Sequence, residues 1–178
     1  MINKDHLQTQ DGLISHLYDV VENACKAPEN RFGYGIWTYH IVPVISFSHI
    51  IGKPLGADPE LLEIAALLHD LAGIHNYHHH NDHHIKSAHI AEELMDKWHF
   101  PNEKTEIVCR SIKNHRGSRL SSPELPEEIA LASADGMAHI EHLDSLFYFV
   151  YNKAGLDIDG GRIWIKSKIE RSWQKMCP

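Results

Sequence analysis

The spacing of apolar residues limits what this chain can fold into more strictly than any other feature of its sequence. Apolar side chains recur every three to four residues along nearly the whole chain. No stretch between turn signals keeps the two-residue alternation that is typical of a half-buried strand. A first helix is predicted over 11–26, and a second begins at Thr38 as its N-cap and runs to about Ile51. The chain is therefore predicted to be all-α.

Proline, glycine and capping residues indicate the other helix boundaries. Gly52, Pro54 and Gly56 are expected to end the second helix. Asp58-Pro59-Glu60 combines an N-cap, a proline at the first helical position and an acid in the first turn, so a helix is predicted to begin there and to end at Gly73. Further helices are predicted over about 84–98, from Pro101 to near His115, from Pro126 to about Ala154, and over 161–176. No repeat or long linker divides the chain, so a single domain is expected.

The net charge and the cysteines indicate in which compartment the protein works and which classes of partner it binds. The net charge of −7 argues against a surface that wraps nucleic acid. The three cysteines are widely spaced, which fits the reduced thiols of a cytosolic protein better than a disulfide framework. No apolar run approaches the length of a membrane helix, and the first residues lack the hydrophobic stretch of a signal peptide. We expect a cytoplasmic protein that contacts neither a membrane nor a nucleic-acid polymer.

Histidine is the compositional outlier, with 16 residues, and two histidines join two aspartates in a candidate metal site. His69-Asp70 ends an apolar helix, where the partial negative charge of the helix terminus favours a cation. An isolated pair of this kind is more often a capping histidine beside a solvated aspartate. Here His40 lies on the preceding helix, and Asp135 lies in an apolar run where its carboxylate needs a partner. Such nitrogen and oxygen ligands suit Fe, Mn, Zn, Ni or Co.

The order of these residues resembles the H…HD…D motif of the HD-domain metal-dependent phosphohydrolases. The resemblance covers about residues 35–150. The segment His84-Ile85-Lys86-Ser87-Ala88 is similar to the H-x-x-S-A of small members, and Ile112-Lys113-Asn114-His115-Arg116 is similar to their I-x-x-H-R. The resemblance implies that residues 1–178 form one HD-type helical bundle, in which N- and C-terminal helices flank the motif core.

The resemblance also implies a set of metal ligands. Four residues are expected to hold a first ion: His40, His69, Asp70 and Asp135. In members with two ions the HD aspartate bridges both, and His84 and His115 stand at the points that match the second set. The implied cofactor is a divalent ion (Fe, Mn, Zn, Ni, Co or Mg), with one or two per chain. If no second ion binds, His84 is expected to be a solvent-facing residue at a helix start. His115 would then stand at a helix C-terminus, where the helix dipole favours a histidine.

The function implied by the resemblance is hydrolysis of a phosphomonoester or phosphodiester, with a nucleotide as one candidate, through a water activated by the metal. Asp70 is expected to orient or bridge the nucleophile, and His115 or Arg116 to assist the phosphate. The expected partner is a small phosphorylated substrate, and a homodimer is a second possible assembly. Leu71-Ala72-Gly73 follows the HD pair, so the lysine and the acid that some members carry there are absent. The substrate is therefore not identified.

Two other functions fit the same residues. One is a non-enzymatic module that binds a metal or a nucleotide and reports to a partner through helices such as 161–176. The other is an HD-type di-iron oxygenase. The histidine-rich stretch 75–84 is either a metal-recruiting tract or a hydrated loop whose charge varies near pH 6.5. His139 and His142 follow Asp135 by one and two helical turns and are expected to line its cavity.

Overall fold

The computed structural model describes residues 10–116 and 123–176. Within those ranges the regular structure is helical and contains no strand, which confirms the all-α prediction. The α-helices are α1 (Gln10–Lys26), α2 (Val42–Leu55), α3 (Pro59–Leu68), α4 (Leu71–His75), α5 (His83–Lys97), α6 (Asn102–Asn114), α7 (Pro126–Glu141), α8 (Leu143–Tyr148) and α9 (Ile158–Gln174). Two π-helical segments, Trp37–Ile41 and Phe149–Lys153, and a 3₁₀ turn at Tyr77–His79 lie between them. None of the helices described is long and apolar enough to cross a membrane.

The second helix begins earlier than predicted, and of the three residues expected to end it, Gly56 does so and Gly52 does not. Thr38 is not an N-cap, because helical backbone already begins at Gly35 and continues through the π segment into α2. Gly52 lies inside α2, which ends only at Gly56, where φ is 74°. A Cβ atom at Gly52 would lie 2.2 Å from Cδ1 of Leu62. The glycine therefore serves the close approach of α2 to α3 and does not end the helix.

The helix that carries the HD pair begins as predicted and ends earlier. The Asp58 carboxylate accepts the backbone N–H of Glu60 at 2.9 Å, which caps the first turn of α3. The helix stops before His69 and not at Gly73, because Asp70 has φ −107° and ψ 2°, outside the α-helical region. This break separates α3 from α4 and turns the two side chains of the pair toward the same space.

The long helix predicted from Pro126 to about Ala154 is divided in the structure. Its first part is α7, which ends at Glu141, and His142 has φ −108° and ψ 56° between α7 and α8. The backbone then continues through α8 and the second π segment. The bend lets the chain after α7 turn across one side of the bundle.

Helix α3 lies at the centre of the fold. Seven of its ten residues are buried, and it contacts α1, α2, α5, α6 and α7. A helix that is apolar on all sides is stable only where other elements surround it. Around it α2 packs on α7, and α5 packs on α6. Burial of α3 therefore brings His69 and Asp70, at its C-terminal end, to the middle of the bundle.

Helix α9 closes one side of the bundle by packing on α7 and on a small aromatic cluster. The cluster has Phe149, Val150 and Ile165 at its centre. The contact with α7 is close because Gly136 has no side chain, and a Cβ atom there would lie 2.6 Å from the carbonyl oxygen of Ser172. Gly136 directly follows Asp135. The same contact therefore sets how near α9 lies to the candidate metal ligands.

We expect Gly136→Ala to lower the free energy of unfolding by roughly 1–3 kcal/mol, because a backbone atom of α9 must move to make room. The intrinsic helix preference of alanine, about 1 kcal/mol, opposes this loss only in part. Chemical denaturation measures the change. Gly35→Ala is the control, since its Cβ atom would meet Tyr39 at an ordinary 3.5 Å. A Gly136→Ala protein as stable as the wild type would contradict the close packing of α7 and α9.

Candidate metal centre

A cavity of about 550 Å³ lies between the end of α3 and the inner face of α9. Its volume is within the range of small-molecule binding sites. Imidazoles and carboxylates line its floor: His40, Asp70, His83, His115, Asp135 and His139. Side chains from five separate parts of the chain therefore converge at one end of the cavity.

The first cluster of possible ligand atoms comes from three helical segments. It contains His40, His69 and Asp135, whose ligand atoms all lie within 4.8 Å of one another. Nε2 of His40 lies 3.2 Å from Nε2 of His69 and 3.4 Å from Oδ1 of Asp135. All three residues are buried. This spacing lets one cation contact all three groups.

The second cluster contains Asp70, His83 and His115. Nε2 of His83 lies 3.0 Å from Oδ1 of Asp70 and 3.1 Å from Nε2 of His115. The other oxygen of Asp70, Oδ2, faces the first cluster, at 3.2 Å from Nε2 of His40. Asp70 therefore presents one carboxylate oxygen to each cluster.

Backbone carbonyls orient three of the imidazoles. The Nδ1 atoms of His69, His83 and His115 each lie 2.6–2.7 Å from the carbonyl oxygen three residues earlier, on Ala66, His80 and Ile112. Only a protonated Nδ1 can donate this hydrogen bond, so in the neutral ring Nε2 carries the lone pair. On neutral His83 and His115 rings these lone pairs face each other at 3.1 Å and repel unless a proton or a metal ion lies between them. The arrangement is that of histidine ligands oriented for a metal by their other ring nitrogen.

The charges of these groups also suit a metal, which needs ionised carboxylates and neutral imidazoles. Burial alone would raise the pKa of Asp70, but the neighbouring imidazoles, His69 foremost, hold that pKa well below its usual range. The pKa of Asp135 is also held low against burial, mainly by the Lys175 ammonium. Burial lowers the pKa of His69 and, more strongly, that of His115. His83 differs from these two rings: burial would lower its pKa, but the Asp70 carboxylate raises it above the usual value, so a cation bound at Nε2 would have to displace a proton there.

The structure brings most of the predicted ligands together: His40, His69, Asp70, Asp135 and His115. The remaining place in the second cluster is taken by His83 and not by His84. The His84 ring is buried beside it, with its centroid 5.8 Å from that of His83 and 6.5 Å from that of His115. Ligation by His84 stays a prediction that this geometry does not favour.

The rotation of α5 about its axis accounts for the difference. His83 and Ser87 are four residues apart and share one face of α5. The Ser87 hydroxyl accepts the backbone N–H of Ala72 at 3.0 Å, so this face is turned toward α4 and Asp70. The spacing of His83 and Ser87 was visible in the sequence, although the H-x-x-S-A pattern drew attention to His84.

The three remaining residues singled out in the sequence, Arg116, His139 and His142, differ in whether they line the cavity. Arg116 lines the cavity, and its guanidinium donates to the carbonyl oxygen of Asn81 at 2.6 Å. His139 also lines the cavity, with Nε2 3.1 Å from Oδ1 of Asp135. His142 is not among the lining residues. Of the two histidines expected beside Asp135, only His139 thus faces the candidate site.

Sequence reasoning missed the opposite wall of the cavity. Large side chains of α9 and of the residue that follows it line this wall: Trp164, Lys168, Arg171 and Lys175. The Lys175 ammonium contacts Oδ2 of Asp135. The intervals of four, three and four residues place these side chains on one helix face, a signal present in the sequence. Nothing local, however, indicates that this face is turned toward the ligand clusters.

Comparisons with known proteins concern the same part of the chain. The profile of the family described as HD domain matches residues 37–139. Ribonuclease Y of Alkaliphilus metalliredigens (strain QYMF) is 30% identical over 101 residues, which are 56% of this chain and 19% of that protein. An uncharacterized protein of Clostridium beijerinckii is 27% identical over 82 residues, 45% of this chain and 52% of that protein. The chain thus spans no more than about half the length of these relatives. No solved structure matches the chain significantly.

Proposed function

The chain belongs to the HD-domain family, a superfamily of metal-dependent phosphohydrolases, and on that premise we propose that it hydrolyses a small phosphomonoester or phosphodiester. A nucleotide is one candidate substrate. The observation that carries the proposal is the shared carboxylate of Asp70, with Oδ1 3.0 Å from His83 and Oδ2 3.2 Å from His40. A carboxylate between two groups of imidazoles is suited to hold two cations side by side.

We propose that one ion binds His40, His69, Asp70 and Asp135, and that a second binds Asp70, His83 and His115. A bound divalent cation lowers the pKa of water toward neutrality and neutralises charge on a phosphate. The mixed nitrogen and oxygen ligands favour Fe, Mn, Zn, Ni or Co. Mg²⁺, which prefers oxygen ligands, fits this set less well.

The residues of the chain have distinct roles in this proposal. The ionised carboxylates of Asp70 and Asp135 balance the charge of the cations, and the Nδ1 hydrogen bonds keep the imidazoles from rotating. Arg116 adds positive charge to the wall of the cavity, which favours a phosphate there. In the reaction the oxygen of water bonds to phosphorus and the ester P–O bond breaks. The leaving oxygen keeps that electron pair and takes up a proton.

The name of one relative bears on the choice of substrate. That protein is named as a ribonuclease, which supports keeping phosphodiesters among the candidate substrates. The net charge of −7 on this chain disfavours the long-range attraction that a long RNA needs. We therefore propose a small substrate that enters the cavity whole.

We expect the chain loaded with Mn²⁺, Fe²⁺ or Co²⁺ to release p-nitrophenol from p-nitrophenyl phosphate or from its diester. Chelation with EDTA should abolish the release, and addition of the metal should restore it, because the phosphate charge is then neutralised again. The measurement is absorbance of the product, followed by a panel of nucleotides. Tight nucleotide binding without turnover under every metal would favour the regulatory module. Oxygen consumption with iron, and no hydrolysis, would favour the oxygenase.

A further inference from the structure

Three cationic side chains line the wall of the cavity that the C-terminal part of the chain forms: Lys168 and Arg171 on α9, and Lys175 directly after it. They are three and four residues apart and therefore share one face of the helix. Helix α9 begins at Ile158, whereas the match to the HD-domain family ends at residue 139. These cations consequently belong to a part of this chain that the family match does not reach.

The Lys168 ammonium forms no salt bridge in the described ranges, because the carboxylates that attract it, Asp135 foremost, lie beyond ion-pair distance. In the described ranges no carboxylate oxygen lies within 4.0 Å of its ammonium nitrogen. Burial lowers the pKa of Lys168 to about 8, so the ammonium is still mostly protonated at neutral pH. A charge withdrawn from water without a partner is costly, and an anion in the cavity removes that cost.

The two other cations differ in their partners. The Lys175 ammonium contacts the Asp135 carboxylate, so its charge is already balanced within the ligand cluster. The Arg171 guanidinium donates to the Ser167 hydroxyl on its own helix, a neutral partner. Like Lys168, Arg171 has no carboxylate within ion-pair distance in the part of the chain that the structure describes. Two of the three charges are therefore available to an anion.

An aromatic wall adjoins these two cations. The Trp164 ring lies one turn before Lys168, with its centroid 6.0 Å from that of Phe149. The Phe149 ring in turn lies 5.2 Å from that of Phe32, and all three rings line the cavity. If a substrate carries an organic group between two anionic groups, that organic group could pack against these three rings.

We propose that Lys168 and Arg171 form a second anion subsite, which selects substrates that carry at least two phosphate groups. One phosphate would lie at the ligand clusters, and the other would pair with α9 across the cavity. This inference rests on the proposed phosphohydrolase function and specifies its substrate class as an organic diphosphate or bisphosphate. A phosphodiester with a single negative charge has no group for the second subsite.

The test is isothermal titration of inorganic pyrophosphate and orthophosphate into the metal-loaded full chain. We expect the Kd for pyrophosphate to rise about tenfold or more in Lys168→Met and in Arg171→Met, because each loses a charge-assisted hydrogen bond. Binding of orthophosphate, which needs only the metal side, should change by less than about threefold. Lys168→Arg keeps the charge and should stay close to the wild type.

Lys166→Met is the matched control on the same helix. The Lys166 side chain is 79% exposed and pairs with Glu170 at 3.8 Å. The substitution therefore removes an equal positive charge outside the cavity. We expect its Kd for pyrophosphate to equal that of the wild type. Equal weakening by Lys166→Met and Lys168→Met would overturn the subsite, as would a wild type that does not bind pyrophosphate. Circular dichroism checks the fold of each variant, and Arg171→Met decides if Lys168→Met does not fold.

The titration needs no turnover, which keeps the two proposals separate. Pyrophosphate binding that depends on Lys168, in a chain that cleaves no phosphoester, would support the subsite and overturn the hydrolase. Hydrolysis of organic diphosphates and simple monoesters at ratios unchanged by Lys168→Met would overturn the subsite and leave the hydrolase standing.

Discussion

Asp70→Asn is expected to empty both metal positions and to lower phosphoester hydrolysis on the order of 10³-fold or more. The substitution keeps the shape of the side chain and removes its negative charge. Each oxygen of Asp70 faces a different cluster, at 3.0 Å from His83 and 3.2 Å from His40, so both ions would lose a shared anionic ligand. Metal per chain, measured by mass spectrometry on untagged protein, and the rate of p-nitrophenol release are the two readouts.

Asp159→Asn is the control for this substitution. It removes the same charge from a side chain that is 87% exposed and lies 3.8 Å from Arg162, far in sequence from every candidate ligand. We expect it to keep the metal content and the activity of the wild type. Circular dichroism should show equal helicity in both variants. Full metal content in Asp70→Asn would mean that the metal binds elsewhere, for example at the histidine-rich stretch 75–84.

His83→Ala is expected to lose about one ion per chain, while His84→Ala retains both. The Nε2 atom of His83 lies 3.0 Å from Asp70 and 3.1 Å from His115, and its Nδ1 atom is bonded to a backbone carbonyl. Its removal leaves the second ion two ligands, and affinity should fall by at least about 10²-fold. His84 lies outside that cluster. Dialysis against a graded series of chelator concentrations, followed by metal analysis, separates the two variants.

The paired histidine variants decide between two readings of the same segment. Loss of an ion in His84→Ala alone would mean that the sequence resemblance identifies the ligand and that α5 turns its other face inward with metal bound. One ion per chain in the wild type and in both variants would reduce the centre to the first cluster. His40→Ala, which removes a first-cluster residue, should then lose that ion.

Local features of the sequence were enough to predict the helical architecture and the starts of helices such as α3 and α7. Asp58 caps α3 as expected, because capping depends on contacts within one turn. The set of His40, His69 and Asp135, which the structure brings together, was also identified from the sequence. A polar residue inside an apolar helical run, or at its end, needs a partner when it is buried. The sequence shows such residues before any tertiary contact is known.

Contacts between distant residues decided the rest. Gly52 was expected to end a helix, yet it lies inside one because α2 and α3 approach there, at Leu62. The same kind of contact, through Gly136, holds α9 close to the ligand clusters. A glycine that permits close packing and a glycine that ends a helix cannot be distinguished by local rules, because the difference lies in what packs against them.

The sequence by itself determined that this protein is all-α and that His40, His69, Asp70 and Asp135 are candidate ligands, because helical period, capping and the cost of buried charge act locally. Only the tertiary structure decided that His83 faces Asp70, that Asp70 divides its oxygens between two clusters, and that the cations of α9 lie across the cavity from them. These facts depend on the rotation of each helix about its own axis. That rotation is set by side chains far apart in the chain, so no local pattern contains it.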